Sequence, residues 1–470
     1  MEDPYVWLAG YWLLTRELLL LAAAGVLVSS LDDLLFDLVY FSRRIWRRLT
    51  VYRGRRRTDA RSLPGGGSAS APIAVFVPAW DEADVIGPML TAFTRRMLFP
   101  HYRVFVGVYP NDAATLRVVA ALSDPRIAVV IVERDGPTTK AHCLNAIWRA
   151  MCRHEDAYGV RFKAIVLHDA EDVVHPRELG VIDYLIPAKA MVQLPVVPFA
   201  APNSRWIAGH YLDEFAESHT KDMVVREAIG AAIPAAGVAC GFERAMMGWI
   251  ADDLGGAPFD PLSLTEDYEL GHRIHARGGK AIFVRMPGRA GAAHVTTQEH
   301  FPETLEAAVR QKSRWLLGIA LHGWDRIGWQ GGLAARYMLM RDRKALLNAI
   351  VVILAYVAAI AYAAAILFRA TMPDARLLPA VVEPGSALDL LLRLTTALLV
   401  WRLAMRILFT GRQHGIAEAL RALPRAFVGN IINFLAALRA CTLYVRGAIR
   451  KTAPVWEKTA HRFPESVARD

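Results

Sequence analysis

Apolar and polar positions follow two regimes along this chain. Towards both ends, apolar residues run on almost without interruption, while in the middle short apolar runs alternate with helical periodicity. Residues 5–31 are apolar save for the adjacent Arg16 and Glu17, and they include Tyr5, Trp7, Tyr11 and Trp12, aromatics suited to a bilayer interface. Asp32, Asp33 and Asp37 weaken the far end of this predicted span. Residues 345–368 carry no charge. At about 1.5 Å per residue such a helix is long enough to cross a bilayer. Residues 390–409 form a third candidate span, which contains Arg393, Arg402 and Arg406; the last two can snorkel from a cytoplasmic end. Residues 426–445 contain Asn430, Asn433 and Arg439, with Arg421 and Arg425 before them and Arg446, Arg450 and Lys451 after. Basic residues on both sides predict a helix lying in the cytoplasmic interface. The pattern therefore predicts three spans and one interfacial helix.

In the middle, runs at 73–77, 104–109, 127–132 and 164–168 read as strands separated by helical stretches such as 140–153. That alternation predicts an α/β domain with a mainly parallel sheet wrapped in helices, whose ligands bind at the carboxyl ends of the strands. The Pro-, Gly- and Ser-rich stretch at 64–72 reads as a flexible linker. The expected organisation is an anchor at 1–42, a basic juxtamembrane segment and linker at 43–72, a cytoplasmic catalytic domain at 73–330, a membrane region at 331–451 and a cytoplasmic tail at 452–470.

Composition sharpens this division. A mean hydropathy of +0.25, with 54% apolar residues, excludes an ordinary soluble or a disordered chain. The net charge of +10 would fit a nucleic-acid partner only if it were spread over a domain. Instead the arginines between Arg43 and Arg61, opposed by Asp59 alone, follow the first apolar segment. This is the positive-inside pattern, which puts the N-terminus outside and residue 43 onward inside, with membrane lipids and no nucleic acid as partners. A cleaved signal peptide is the alternative for the first segment; Glu2, Asp3 and the arginine block oppose it. Cys143, Cys152, Cys240 and Cys441 are scattered without a CxxC pair, which suggests neither a zinc site nor a disulfide framework and suits a reducing compartment.

Four polar motifs sit at the ends of predicted elements. The first strand runs into Pro78-Ala79-Trp80-Asp81-Glu82, the second into Pro110-Asn111-Asp112, and the fourth into Asp169-Ala170-Glu171-Asp172; Thr265-Glu266-Asp267 opens a helical stretch. Singly, each has a plain structural explanation as a turn former or helix cap. Jointly, a parallel sheet would bring Asp81, Asp112 and Asp169 to one edge, where clustered carboxylates call for a divalent cation or another positive group. Asp169 and Glu171 are alternate residues of an extended stretch, so both can face one hard cation such as Mg2+ or Mn2+, which takes further ligands from substrate phosphates. A nucleotide is the leading substrate on this reading. The absence of GxxxxGK[ST] and GxGxxG argues against a P-loop or dinucleotide-binding domain. Further on, Gln311, Arg314 and Trp315 share one face of a helical pattern at about 302–321. An amphipathic helix resting on the membrane is the alternative for that face.

In this order the motifs resemble the D, DxD, TED, QxxRW series of membrane-embedded family 2 glycosyltransferases of the cellulose and hyaluronan synthase type. The match covers about 73–320, and the wording around 168–172, 264–270 and 428–434 is most similar to the bacteriophage adsorption protein B branch. The resemblance implies a GT-A fold, a UDP-sugar donor, Mg2+ or Mn2+, inversion at the anomeric carbon, and a polysaccharide or lipid-linked acceptor at the bacterial inner membrane. An outer-membrane export partner belongs to the same expectation. By position Pro78, Asp81, Glu82 and Asp112 would line the nucleotide site with Lys140 nearby. Asp169 and Glu171 would hold the metal on the diphosphate. Asp267, next to Glu266, would be the base; Gln311, Arg314 and Trp315 would line the acceptor and pyrophosphate region. Glu171 stands where the motif has aspartate, which leaves open whether Asp172 substitutes. A catalytically silent scaffold is the competing reading, and the presence of every motif opposes it. Only some 25 residues follow Val445, and no regulatory domain is expected there.

Overall fold

The computed structural model describes residues 4–55, 57–64, 70–372, 375, 378–450, 462–464 and 467. Residues 65–69 of the expected linker, and most of the expected tail, lie outside the described residues.

Strands β1 (Ile73–Ala79), β2 (Tyr102–Val108), β3 (Ile127–Ile131) and β4 (Ala164–Leu167) form the parallel half of a seven-stranded sheet. They are interleaved with helices α1 (Pro4–Leu49), which precedes β1, then α2 (Ile86–Arg96), α3 (Ala113–Ala121) and α4 (Lys140–Tyr158). After α5 (Glu178–Leu185) come β5 (Met191–Gln193) and β6 (Val196–Pro198), then α6 (Ile207–Glu217), a π-helical turn at Ser218–Asp222, and α7 (Met223–Ala228). Next follow β7 (Cys240–Glu243), α8 (Arg244–Asp253), α9 (Glu266–Ala276), β8 (Ala281–Phe283) and β9 (Thr297–Glu299). The sheet order is β3-β2-β1-β4-β7-β5-β8; β6 and β9 make a separate parallel pair. β7 runs antiparallel to both neighbours, so the sheet is mainly parallel, as the alternating pattern implies.

Every residue of β1 is buried, because helices cover both faces of the sheet. Val75 and Val77 face Ile86 and Leu90 of α2, while Ala74 and Phe76 face the α4 side with Leu144 and Ile147. A continuous apolar run is what a strand needs when neither face meets water. Pro78 sits beyond Phe76, where the ladder to β4 stops, so its missing N–H costs no bond on that side. α4 starts at Thr139, whose hydroxyl accepts from the His142 N–H, and ends at Gly159 with φ 64°.

The chain then leads through α10 (Leu305–Leu316), a π-helical stretch at Leu317–His322 and α11 (Gly323–Ile327) to α12 (Leu333–Thr371), α13 (Ala387–His414) and α14 (Ile416–Arg450). α1, α12 and α14 are long and apolar enough to cross a membrane. By that measure α14, expected in the interface, qualifies, and α13, expected to hold the 390–409 span, is not among the described helices that do. The packing distinguishes them further. The apolar residues that α14 leaves exposed, including Ile416, Leu420, Leu423, Phe427, Ile431, Leu438 and Val445, recur every three, four or seven residues on one face. From the rest of the helix, Arg425 reaches Asp213 of α6 (2.7 Å) and Arg439 reaches Ser313 of α10 (2.7 Å).

The acidic residues expected to weaken the first span do not end it. α1 runs unbroken through Asp32, Asp33 and Asp37 to Leu49 because partners meet each charge: Arg341 and Lys344 of α12 at Asp32 and Asp33, Lys221 (2.5 Å) and Trp401 (2.8 Å) at Asp37. Arg402 pairs with Glu217 of α6 at 2.9 Å. The first arginines of the basic segment, Arg43 to Arg48, are helical as well.

Candidate active site

β1 and β2 end side by side, and their following residues interlock. Asp81 adopts φ 55°, in the left-handed region that aspartate tolerates better than most residues, and its N–H donates to Asp112 Oδ2 at 2.6 Å. Asp112 Oδ1 in turn accepts from the Thr115 N–H (3.1 Å), capping α3, and the Thr115 hydroxyl accepts from the Glu82 N–H (3.0 Å). Asp112 thus fills its structural role as a cap while binding the Asp81 loop. Trp80 and Tyr109 meet edge to face at 5.1 Å. Over them lies the 136–138 loop, held by Asn111, whose side chain both donates to the Gly136 carbonyl and accepts from its N–H at 2.8 Å. Tyr109 and Thr138 share a 2.6 Å hydrogen bond. Trp80, Tyr109 and Asn111 stand beside the anticipated carboxylates, and nothing in their spacing marked them.

The second group forms around Lys140, the first residue of α4. Its ammonium lies 2.5 Å from Asp169 Oδ1. Burial would push the Lys140 pKa down, but Asp169, Glu266 and Asp267 together hold it well above the usual lysine range. Lys140, expected near Asp81 and Asp112, has the metal-side carboxylate and the TED pair as its charge neighbours. Asp267 and Glu266 open α9, and burial raises both carboxyl pKa values, that of Glu266 to about 7, with Lys140 and Arg314 opposing the rise. Asp267 Oδ1 accepts from the Tyr268 N–H at 2.7 Å. Gly237, with φ 78°, passes over the other oxygen: a Cβ there would stand 2.5 Å from Asp267 Oδ2. The segment carrying it is tied down by buried Gln193, which accepts from the Ala236 N–H (2.9 Å) and donates to the Val238 carbonyl (3.0 Å). Gln193 lies on a three-residue strand, too short to be legible in the sequence.

Asp172 does not take the place of Glu171. Its side chain turns inward, where Oδ2 lies 2.8 Å from His168 Nδ1 and accepts from the Asp169 N–H at 3.1 Å. His168 is fully buried with Glu178 at 2.9 Å on its other nitrogen. Burial disfavours the charged imidazole, but Glu178 and Asp172 favour it and push its pKa up to about 10. His175 accepts from the Arg177 N–H (3.1 Å) in a turn, and burial drives His272 down to about 3. All three histidines have structural surroundings.

α10 brings up the last group. Arg314 is close enough to Glu266 and Asp267 to influence both, and Trp315 packs edge to face on Tyr211 at 6.2 Å. The helix is pinned through Lys312, which reaches Glu214 (2.5 Å) and Asn433 (2.8 Å). Just beyond it, Gly318 lets the chain approach Thr265, whose Cγ2 would lie 2.5 Å from a Cβ. The structure therefore unites Lys140, Asp169, Glu266, Asp267 and Arg314, with Asp81, Glu82 and Asp112 on the neighbouring strand ends. Among the described residues no group of three His, Cys, Asp or Glu side chains is arranged as a metal cage. The hard-oxygen donors and the positive charge already drawn to Asp169 fit a divalent cation that takes most of its ligands from phosphate and water.

Known proteins resemble the chain over most of its length. The chain is 37% identical to bacteriophage adsorption protein B of Escherichia coli (strain K12), over 98% of this chain and 64% of that protein. Bacteriophage N4 adsorption protein B of Escherichia coli O157:H7 matches equally. The chain thus spans 64% of the length of these relatives. Among solved structures, the mannosyltransferase PcManGT of Pyrobaculum calidifontis, in complex with GDP-Man and Mn2+, is similar at TM-score 0.47 and 18% identity, covering 86% of this chain and 98% of that one. S. aureus TarS 1-349 with UDP-GlcNAc is similar at TM-score 0.37 and 11% identity, covering 76% and 92%. Residues 71–318 match the family described as glycosyltransferase like family 2, and the chain belongs to that family.

Proposed function

We propose that the protein is an inverting, metal-dependent glycosyltransferase that moves a sugar from a UDP-sugar to a growing exopolysaccharide or envelope polysaccharide at the bacterial inner membrane. The observation that carries this reading is the convergence of Asp169, Glu266 and Asp267 on Lys140, with Arg314 acting on the latter two carboxylates, beside the Asp81 and Asp112 loops. In the proposed reaction the acceptor hydroxyl oxygen attacks the anomeric carbon as the bond to the diphosphate breaks, and Asp267 takes the hydroxyl proton. Arg314 and Lys140 supply fixed positive charge where the departing diphosphate gains negative charge. Asp169 and Glu171 would hold Mg2+ or Mn2+, which when bound adds Lewis-acid stabilisation of the diphosphate. Asp81, Glu82, Asp112 and Pro78 would line the nucleoside side. Gln311 and Trp315 would face the acceptor.

In this reading α1, α12 and α13 cross the membrane, and α14 lies in the cytoplasmic interface with its exposed apolar stripe in the lipid. The catalytic domain is then cytoplasmic. An outer-membrane export partner would receive the product. Transfer to a lipid-linked acceptor is the second reading, favoured by the packing of α10 directly on α14.

The test is UDP release by the purified protein in nanodiscs, with a panel of UDP-sugars and either Mg2+, Mn2+ or a chelator. Metal-dependent release from one donor is expected. No release and no UDP binding with any donor would contradict the proposal and favour a silent scaffold.

A further inference from the structure

We propose that Asp342, on α12, is a positioning residue for Asp267, so that the base of the reaction is held in place by a helix of the membrane region. The assignment rests on the glycosyltransferase reading above. Asp342 receives bonds from two separate elements. Arg226 of α7 donates to both its oxygens, at 2.8 and 2.7 Å, and the Tyr268 hydroxyl donates to Oδ2 at 2.8 Å.

Each of these donors leads to a different oxygen of Asp267. Tyr268 is the next residue in α9, and its backbone N–H is the donor to Asp267 Oδ1 at 2.7 Å. The residue whose side chain is bound to α12 therefore also holds one side of the proposed base. Arg226 uses Nε to bond the Ala232 carbonyl at 3.1 Å, and the segment that starts there runs to Gly237, which passes over Asp267 Oδ2. Removing Asp342 would loosen both oxygens together.

Two features set this apart from an ordinary tie between helices. Arg226 is 5% exposed, so its two-pronged bond to Asp342 is desolvated and directional. Moreover, α9 has its own independent anchor, since Glu269 binds Arg326 (2.6 Å) and Ser263 (2.6 Å). Losing the Tyr268 hydroxyl thus leaves the helix docked, with its ring still packed among Ile327 and Leu339, while freeing the turn that carries Asp267. Small misplacements of a reacting group are costly, because transition-state geometry tolerates about 1 Å or less.

The experiment compares wild type, Tyr268→Phe, Asp342→Asn and Tyr444→Phe in nanodiscs, measuring kcat and KM for the UDP-sugar, and UDP affinity by calorimetry. Tyr444 donates a hydroxyl bond to the exposed Asp325 at 2.8 Å, outside the Arg226, Asp342 and Tyr268 set, so Tyr444→Phe should keep the wild-type kcat. Tyr268→Phe should lower kcat about tenfold or more with KM and UDP affinity within about twofold of wild type. Asp342→Asn should do the same; if it fails to fold because Arg226 is left unpaired, Tyr268→Phe still decides. An unchanged kcat in Tyr268→Phe, or an equal fall in Tyr444→Phe, overturns the positioning role alone. A wild type that turns over no donor overturns the functional reading and this assignment with it.

Discussion

Asp267 illustrates how one side chain acquires a role from its surroundings. Desolvation in the site, and after it the Asp169 charge, raise its pKa, while Lys140, the Tyr268 N–H and Arg314 favour its charged form. Gly237 closes the remaining side, and Gly237→Ala should test that fit. An added methyl would stand 2.5 Å from Asp267 Oδ2 on a backbone at φ 78°, where alanine is strained as well. We expect transfer to fall by about 100-fold with UDP affinity unchanged. Equal activity in the variant would contradict the close approach. A different residue contributes to acid stability. His219 accepts from the Val196 N–H at 2.8 Å, and burial pushes its pKa down to about 4. Between the unfolded value of about 6.5 and that folded value, the unfolded chain binds the extra proton, so stability falls as pH falls through this window, by about 3 kcal/mol in all. Thermal unfolding from pH 7 to 4 should show that loss, and His219→Gln, which keeps an acceptor without titrating, should reduce its slope.

Among elements, α14 carries the most consequential claim. If it lies in the plane of the interface, spin labels at Leu420, Phe427, Ile431, Leu438 and Val445 should all report similar depths in a nanodisc. A helix that crosses would give depths rising by about 1.5 Å per residue, and a monotonic gradient would contradict the proposed arrangement. The strands β1 to β4 were legible because each is a largely apolar run flanked by turns; β1, β2 and β4 are buried on both faces, and β3 is the partly exposed edge. β5 to β9 were not, being three or four residues long and stabilised by tertiary neighbours rather than by local pattern. The continuation of α1 past Asp32 was hidden for a related reason. Its acids look like a helix end until Arg341, Lys344, Lys221 and Trp401 arrive from far along the chain.

For the whole molecule, the candidate site was legible as a set of motifs and illegible as a geometry. Acids at successive strand ends announced a shared edge, since parallel strands must end together. What the pattern could not reveal was which charge faces which: that Lys140 sits on Asp169, that Asp172 turns inward to His168, or that Asp342 reaches α9 from the membrane region. Those contacts are set by the tertiary arrangement and leave no mark in the local pattern. They also join the domain and the membrane helices into one unit through Arg226, Lys221 and Lys312. The measurement that tests this account most directly is UDP release from the preferred UDP-sugar by wild type and Asp267→Asn, with UDP binding measured in parallel. The account predicts release by wild type, loss of at least about 1,000-fold in the variant, and comparable UDP binding in both. Release by Asp267→Asn at the wild-type rate would contradict it.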